Sequence, residues 1–277
     1  MSYFLGIDGG GTGCRAAIAD ASGRIIGQGA GGPANISIET EGACANILAA
    51  AHAALEQAGE GHLDQLTAVL GLAGANVTAA ARRLQAMLPF GRSRIVTDAV
   101  TAAAGALGPG DGIVAAMGTG SVFAVQAGGE MRQYGGRGFL LGDEGSGAVL
   151  GRALLAQALR AEDGFTPMTP LLQAVLDELG GIEGVISFGL RARPAEFGAF
   201  APRIVAAEDP AAEQVLAAAV AEIGAMIDTL QAGRHLPVVF LGGLGTHYAR
   251  RLAGRWPIRD PLGSGLDGAL LLARKEA

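Results

Sequence analysis

Lysine is almost missing from this chain. Of its 20 basic residues all but Lys275 are arginine. A phosphate loop of the G-x-x-x-x-G-K-[ST] kind requires a lysine behind its glycines, so that class of nucleotide-binding protein is excluded. Schiff-base and pyridoxal chemistry lose their usual amine for the same reason. Cysteine is scarce as well: Cys14 and Cys44 are too few for a disulfide framework or a four-thiolate metal site. Charged residues make up only 17% of the chain, with a net charge of -6 and no basic run, which argues against nucleic acid as a partner. Long apolar runs are lacking too. The longest uncharged stretch, residues 112–129, is broken by five glycines and reads as strand-turn-strand, so no membrane partner is expected. Met1 to Asp8 has no basic start and meets a carboxylate early, unlike a signal peptide. The expectation is a cytoplasmic protein.

Glycine is what the chain has in excess. Its 46 glycines exceed twice the usual share of ~7%. They cluster between apolar runs without a G-X-Y period, which means tight turns and close backbone approach rather than collagen. With 277 residues and 50% hydrophobic content, the chain supports one large or two modest folded domains.

The opening alternates as β-structure: a strand over Tyr3–Asp8, a glycine turn at 9–13, a return strand over Cys14–Asp20 and a third over Arg24–Gln28. An Ala-rich helix is expected from Glu39 to Glu56, a buried strand over Leu66–Leu72 and a helix over Val77–Leu88. A short strand over Arg94–Thr97 and a helix over Val100–Leu107 complete this half. Gly108-Pro109-Gly110-Asp111 punctuates the chain, dividing it into domains 1–107 and 108–277. The second half begins by repeating the first: strand Ile113–Met117, turn Gly118-Thr119-Gly120-Ser121, return strand Val122–Gln126. Two such turns roughly 110 residues apart suggest a duplicated βββαβα unit. Helices near 147–161, 169–180, 194–206 and 211–232 are expected next, then a strand over Val238–Leu241 and helices at 245–253 and 265–274.

Asp8-Gly9-Gly10-Gly11-Thr12 returns into a strand, unlike the loops of Rossmann and Walker folds. Such a turn presents consecutive N–H groups and a hydroxyl to an anion, beside a carboxylate able to hold a metal ion through water. A two-residue hairpin does not need three glycines in a row. Val239–Gly245 runs a strand into bare glycines, where a flat group could lie, although taken alone the segment reads better as a tight strand-to-helix turn. Asp98 follows a strand and opens a helix, where capping is the default role for an aspartate. Gly142-Asp143-Glu144-Gly145-Ser146-Gly147 also precedes a helix, with more acid than a cap requires. Two matches to the dinucleotide fingerprint fail: Gly27-x-Gly29-x-x-Gly32 runs into Pro33, and Gly263-x-Gly265-x-x-Gly268 comes too near the chain's end for an acidic partner.

Together these residues resemble the BadF/BadG/BcrA/BcrD-type ATPases, and within them the N-acetylglucosamine and glucosamine kinases, a sugar-kinase branch of the actin/Hsp70/hexokinase superfamily. Ile7 to Thr12 resembles that family's first phosphate motif, Gly118 to Ser121 its second and Leu241 to Leu244 its adenosine motif. Gly135-Gly136-Arg137-Gly138 leading to Asp143-Glu144-Gly145-Ser146 resembles the hexosamine loop. The resemblance implies an α/β fold of two duplicated actin-like (ribonuclease H-like) domains with a ligand cleft between them, the last helix (about 265–275) packing back on the first domain. It implies ATP bound by Gly9, Gly10, Gly11, Thr12, Gly118, Thr119, Gly120, Gly242 and Gly243. It implies an amino sugar contacted by Asn35, Asp98, Ser121, Gly136, Arg137 and Asp143. Mg²⁺ would be held by Asp8, directly or through water, and Asp98 would be the catalytic base. Two positions depart from the family pattern: Arg137 stands where tryptophan is usual, and Gly13 where lysine or arginine is common. The resemblance leaves acetylation of the amine open, and a homodimer as well. Its alternatives are an ATPase activator of a dehydratase, which needs cysteines for an iron–sulfur cluster, and a non-catalytic sugar sensor.

Overall fold

A computed structural model describes residues 3–59 and 61–276. In chain order the first half forms β1 (Tyr3–Gly9), β2 (Cys14–Ala19), β3 (Ile25–Gly31), α1 (Thr40–Ala58), β4 (Leu66–Leu72), α2 (Thr78–Gln85), β5 (Arg92–Thr97) and α3 (Asp98–Leu107). The second half continues with β6 (Gly112–Met117), β7 (Ser121–Ala127), β8 (Glu130–Gly135), α4 (Gly147–Glu162), α5 (Pro170–Leu179), α6 (Gly181–Arg191), α7 (Pro194–Gly198) and α8 (Ala201–Ala206). The chain ends with α9 (Pro210–Gln231), β9 (Val238–Leu241), α10 (Gly245–Arg251) and α11 (Gly265–Lys275). Two compact units result. Unit 1 holds the residues up to Gly112, the segment 126–133 and everything from Asp260 on; unit 2 holds 113–125 and 134–259.

Unit 1 is built on a five-stranded sheet of order β3-β2-β1-β4-β5, with β4 parallel to both β1 and β5 and the β1–β2–β3 meander antiparallel. β1 is apolar along its length because both its faces are covered. Leu5 and Ile7 join Ile18, Ile47 and Leu70 in the core beneath α1, while Phe4 faces the other way to Val69 and Ala273 of α11. Glycine decides how α1 sits. On β3 the alternate residues Gly27 and Gly29 turn one face to the helix, and a Cβ there would lie 2.0 Å from the Ala54 carbonyl oxygen and 2.1 Å from that of Ala50. The alanines of α1 complete the close approach and favour the helix as well. The second fingerprint-like run has a similar use: a Cβ at Gly268 would lie 1.9 Å from the Thr101 carbonyl oxygen, so α11 packs directly on α3.

The second sheet has the order β8-β7-β6-β9, matching β3-β2-β1-β4 position for position. β6 runs parallel to β9, as β1 does to β4. The third strand of this repeat, β8, is implied by the duplicated βββαβα unit, though the sequence pattern assigns it no residues; its residues are alternately exposed and half-buried, with polar side chains that weaken the pattern. α6 is likewise additional, and the helix expected over 194–206 is two, α7 and α8. Pro202 sits in the first turn of α8, where its missing N–H is harmless, but it could not have continued a helix from α7. α9 has the length and apolarity of a membrane span; its Val215, Ile223 and Ile227 are buried in the folded chain, as in a core helix.

Gly29→Ala should therefore destabilise the protein by about 1–3 kcal/mol through overpacking against backbone that has no free rotamer. Gly189→Ala, in α6 with nothing near its would-be Cβ, should be neutral or stabilising by about 0.5–1 kcal/mol. Urea unfolding of the two variants side by side reads both; equal midpoints would mean that α1 does not rest on bare β3 backbone.

Candidate functional site

In unit 1 the expected site residues gather at the carboxyl ends of three parallel strands. The register sets Gly9 of β1 opposite Leu72 of β4, and Leu72 opposite Thr97 of β5. Asp8 near the end of β1 and Asp98 just after β5 therefore lie at the same edge of the sheet, on either side of β4. Backbone bonds tie in the remaining loop: Ala73 N–H donates to the Gly9 carbonyl (2.9 Å), Ala34 N–H to that of Gly10 (2.8 Å) and Ile36 N–H to that of Ala73 (3.0 Å). These hold Asn35 beside the turn. Its Oδ1 accepts from the Ser37 N–H and hydroxyl, which leaves Nδ2 without a protein partner.

The turn itself is closed by Gly10 N–H donating to the Gly13 carbonyl (2.9 Å), whereas the N–H groups of Gly11 and Thr12 donate to no acceptor among the described residues. Nothing lies within 4 Å of a Cβ built on Gly10 or Gly11, so their backbone is open to a ligand. Asp8 is bonded to Arg15, its direct partner across the β1–β2 ladder, at 2.5 Å. Arg15 is a site residue the sequence reading passed over. Gly13, in the turn, lacks the cation expected after the threonine, but two residues on, on β2, Arg15 carries one.

Asp98 is not the helix cap. Thr97 occupies the cap position without a side-chain bond, Asp98 is the first helical residue, and its Oδ1 accepts only from the adjacent Ala99 N–H. The carboxylate keeps an edge exposed to solvent, yet the protein around it withdraws enough water to raise its pKa, and the Asp8 carboxylate raises it further. No cation pairs with it among the described residues.

Unit 2 repeats the arrangement. Gly118 N–H closes the second turn on the Gly120 carbonyl (2.9 Å), and the N–H groups of Thr119 and Gly120 find no protein acceptor. The start of α4 is sewn to this turn: Gly147 N–H donates to the Gly118 carbonyl (2.8 Å) and Ala148 N–H to that of Thr119 (3.1 Å). The cap of α4 is Ser146, whose hydroxyl accepts from Val149 N–H. Asp143 and Glu144 are thereby free of capping. Asp143 adopts φ +58°, a left-handed conformation rarely taken by residues other than glycine, asparagine and aspartate. It accepts from the Gly138 N–H (3.2 Å), so it ties the run Gly136-Arg137-Gly138 to the second turn, where a Cβ on Gly120 would lie 2.8 Å from its carboxylate. Burial raises its pKa. The Ser121 hydroxyl is buried and donates to the Glu144 carbonyl, and the buried Tyr248 donates to that of Gly145. Arg137 is exposed and has no carboxylate partner among the described residues.

Gly242 has φ +84°, and a Cβ there would meet the Met117 carbonyl oxygen at 2.5 Å, so only glycine serves at this strand-to-helix turn. Gly243 is open. A cavity of about 390 Å³ lies beside it, lined by Gly118 and Thr119, by Gly147, by Gly198 of α7, by Ala201, Pro202 and Val205 of α8, and by Gly243 and Leu244. The α7 and α8 residues escaped sequence reading because small apolar residues in a helical stretch carry no signal of a ligand. Chemically the arrangement offers amides without an acceptor among the described residues at both turns, a cavity with mainly apolar side chains beside the second, and a carboxylate of raised pKa just after β5.

The BadF/BadG/BcrA/BcrD ATPase family matches residues 5–253. Glucosamine kinase GspK of Vibrio cholerae is 33% identical over 285 residues, covering 99% of this chain and 97% of that protein. The crystal structure of a protein from Chromobacterium violaceum, provisionally named an N-acetylglucosamine kinase, is 33% identical with a TM-score of 0.82 over 99% of both chains. A ROK hexokinase from Thermus thermophilus shares the fold at 20% identity, with a TM-score of 0.57 over 99% of this chain and 98% of its own. This agreement of sequence, motif and fold over the length of the protein is that of shared descent, and the chain belongs to the BadF/BadG/BcrA/BcrD ATPase family.

Proposed function

We propose that this protein is an ATP-dependent hexosamine kinase that transfers the γ-phosphoryl group to the 6-hydroxyl of N-acetylglucosamine or glucosamine. The observation that carries the reading is the pair of turns whose amides (Gly11 and Thr12, Thr119 and Gly120) find no acceptor among the described residues and whose threonines are exposed. The activities named for the Vibrio and Chromobacterium relatives support the amino-sugar acceptor.

Phosphoryl transfer asks little covalent chemistry of a protein beyond positioning and charge stabilisation. Amides and hydroxyls of the two turns hold and neutralise the phosphates. Asp98 accepts the proton of the 6-hydroxyl as that oxygen attacks the γ-phosphorus, and ADP leaves from the opposite side. The free Nδ2 of Asn35 and the carboxylate of Asp143 bond sugar hydroxyls, with Gly136, Arg137 and Ser121 shaping that side. Asp8 suits Mg²⁺, which takes one or two carboxylates plus phosphates and keeps its waters: its Oδ1 is free of protein donors, and Asp98 adds a second negative charge nearby. When bound, the ion would neutralise phosphate charge.

The dehydratase-activator alternative fits poorly. Cys14 and Cys44 are buried together in the core beneath α1, and burial raises both thiols above their ordinary pKa. Iron–sulfur clusters need thiolates that reach the metal.

The test is sugar-dependent ADP release in the wild type and in Asp98→Asn. With the base gone, kcat should fall by about 10²–10⁴. In the wild type, activity should fall with an acid limb above the ordinary carboxylate pKa of ~3.9, because Asp98 must be ionised to accept a proton. Stability runs the other way. A carboxyl whose folded pKa exceeds its unfolded one stabilises the fold below the unfolded value and loses that contribution as pH rises through the folded one. At neutral pH Asp98→Asn should thus hold or raise Tm while losing activity; a near-fully active Asn variant removes the base from the mechanism.

Arg137→Trp tests the sugar side. Tryptophan exchanges several donors for a stacking face and a single N–H. The order of hexosamines by kcat/KM should change while the KM for ATP stays within about twofold. An unchanged order with weakened ATP binding would place this loop on the nucleotide instead.

A further inference from the structure

The cavity in unit 2 is unusual for what its walls do not carry. Among the described residues that line it, the Thr119 hydroxyl is the lone polar side-chain group; Ala201, Pro202, Val205 and Leu244 are apolar and the others are glycine. No aromatic or charged side chain lines it. Adenine and guanine share one bicyclic ring and differ at its edge, where an amino donor on one faces a carbonyl acceptor on the other. Telling them apart takes a donor or acceptor fixed against that edge.

The backbone supplies few such groups. Of the amides in the lining, Gly118 N–H is spent on the Gly120 carbonyl, Gly147 N–H on Gly118 and Leu244 N–H on Met117, while Pro202 has none. The amides of Thr119, Ala201 and Gly243 have no backbone acceptor among the described residues. The first and last belong to the glycine turns, which the kinase reading gives to phosphate and ribose. That of Ala201, at the start of α8, is a donor that either purine can meet through its shared N7 acceptor. The side chains that remain for the base form the apolar ridge of Ala201, Pro202 and Val205 on α8. At about 390 Å³ the cavity falls within the ~300–1,000 Å³ usual for small-molecule sites, so it has room for the larger purine.

Resting on the kinase reading above, we propose that this site does not discriminate purine bases, and that GTP serves as phosphoryl donor about as well as ATP. The magnitudes favour this. A site built to hydrogen-bond its ligand rejects the analogue lacking that group by about 10⁴–10⁵, whereas an apolar wall distinguishes ligands only by contact area. Two purines offer nearly the same area. Pyrimidines offer less, and CTP and UTP should be the poorer donors.

The experiment compares kcat/KM for ATP and GTP with the best hexosamine acceptor, and the rise in Tm produced by ADP and by GDP in the presence of Mg²⁺. Donors within about tenfold of each other, and similar rises in Tm, are expected. GTP more than about tenfold poorer than ATP overturns the inference and leaves the kinase intact. If no nucleotide supports sugar phosphorylation, the kinase reading fails by itself, and the ADP and GDP melts still decide the cavity: unequal shifts overturn the inference. Val205→Tyr should fill the cavity and raise the KM of both nucleotides together, leaving that of the sugar alone. An effect on one nucleotide only, or on neither, overturns the placement of the base against α8. Should that variant fail to fold, the wild-type donor comparison stands without it.

Discussion

A backbone N–H that donates to nothing is tolerable only where water or a ligand can reach it. The two glycine turns hold four such groups, on Gly11, Thr12, Thr119 and Gly120, and much of the molecule serves to keep them in place and uncovered. Each turn ends the leading strand of a sheet, so its position is set by the ladder behind it. Each carbonyl that might have closed on those amides is instead taken from outside: Gly9 and Gly10 by Ala73 and Ala34, Gly118 and Thr119 by Gly147 and Ala148. The same bonds that leave the amides open therefore carry the next segments of the site. Asn35 is placed by the first set, and the start of α4 with its cap Ser146 by the second.

Glycine content was the clearest feature of the sequence and the hardest to interpret, because the residue serves two opposed purposes. At Gly10, Gly11 and Gly243 an added Cβ would meet empty space, which suits a ligand approaching the backbone. At Gly27, Gly29 and Gly268 it would enter another segment's backbone within about 2 Å, which suits a helix approaching it. Periodicity cannot tell these apart, and both false dinucleotide fingerprints came from the second kind. What distinguished the true turns in the sequence was their repetition at similar points of two halves, each followed by a return strand.

The sheet frame and the turns were thus legible, while features defined by neighbours were not. β8 is half-exposed and polar. α6 contains glycines at 181, 184 and 189, which read as loop until α4 and α5 pack against it. Arg15 is found only through strand register, which sets it opposite Asp8. Pro202 shows how one residue escapes twice: it splits the expected helix into α7 and α8, and the start it gives to α8 becomes a wall of the cavity. Its presence marked a break in the helix and gave no sign of the ligand side.

Asp98 shows most plainly that local rules are overruled by surroundings. At the first position of a helix, the positive end of the macrodipole favours a carboxylate by about 0.3–1 kcal/mol, less than one pKa unit at 1.36 kcal/mol each. The bond from Ala99 N–H acts in the same direction. The pKa is nevertheless raised, so desolvation together with the Asp8 charge outweighs both. Asp8 meets the opposite circumstance, because Arg15 lies against it. Two carboxylates at strand ends on either side of β4 are in this way given different surroundings, which the proposed reaction uses: one is ion-paired and would hold a cation, the other has no cation partner among the described residues and would take a proton. That division rests on an arginine seven residues from Asp8, brought opposite it by the hairpin whose turn binds phosphate in the proposed reaction. In the proposed reaction, metal site and phosphate cradle therefore share one strand pair, and the base stands two strands away across β4.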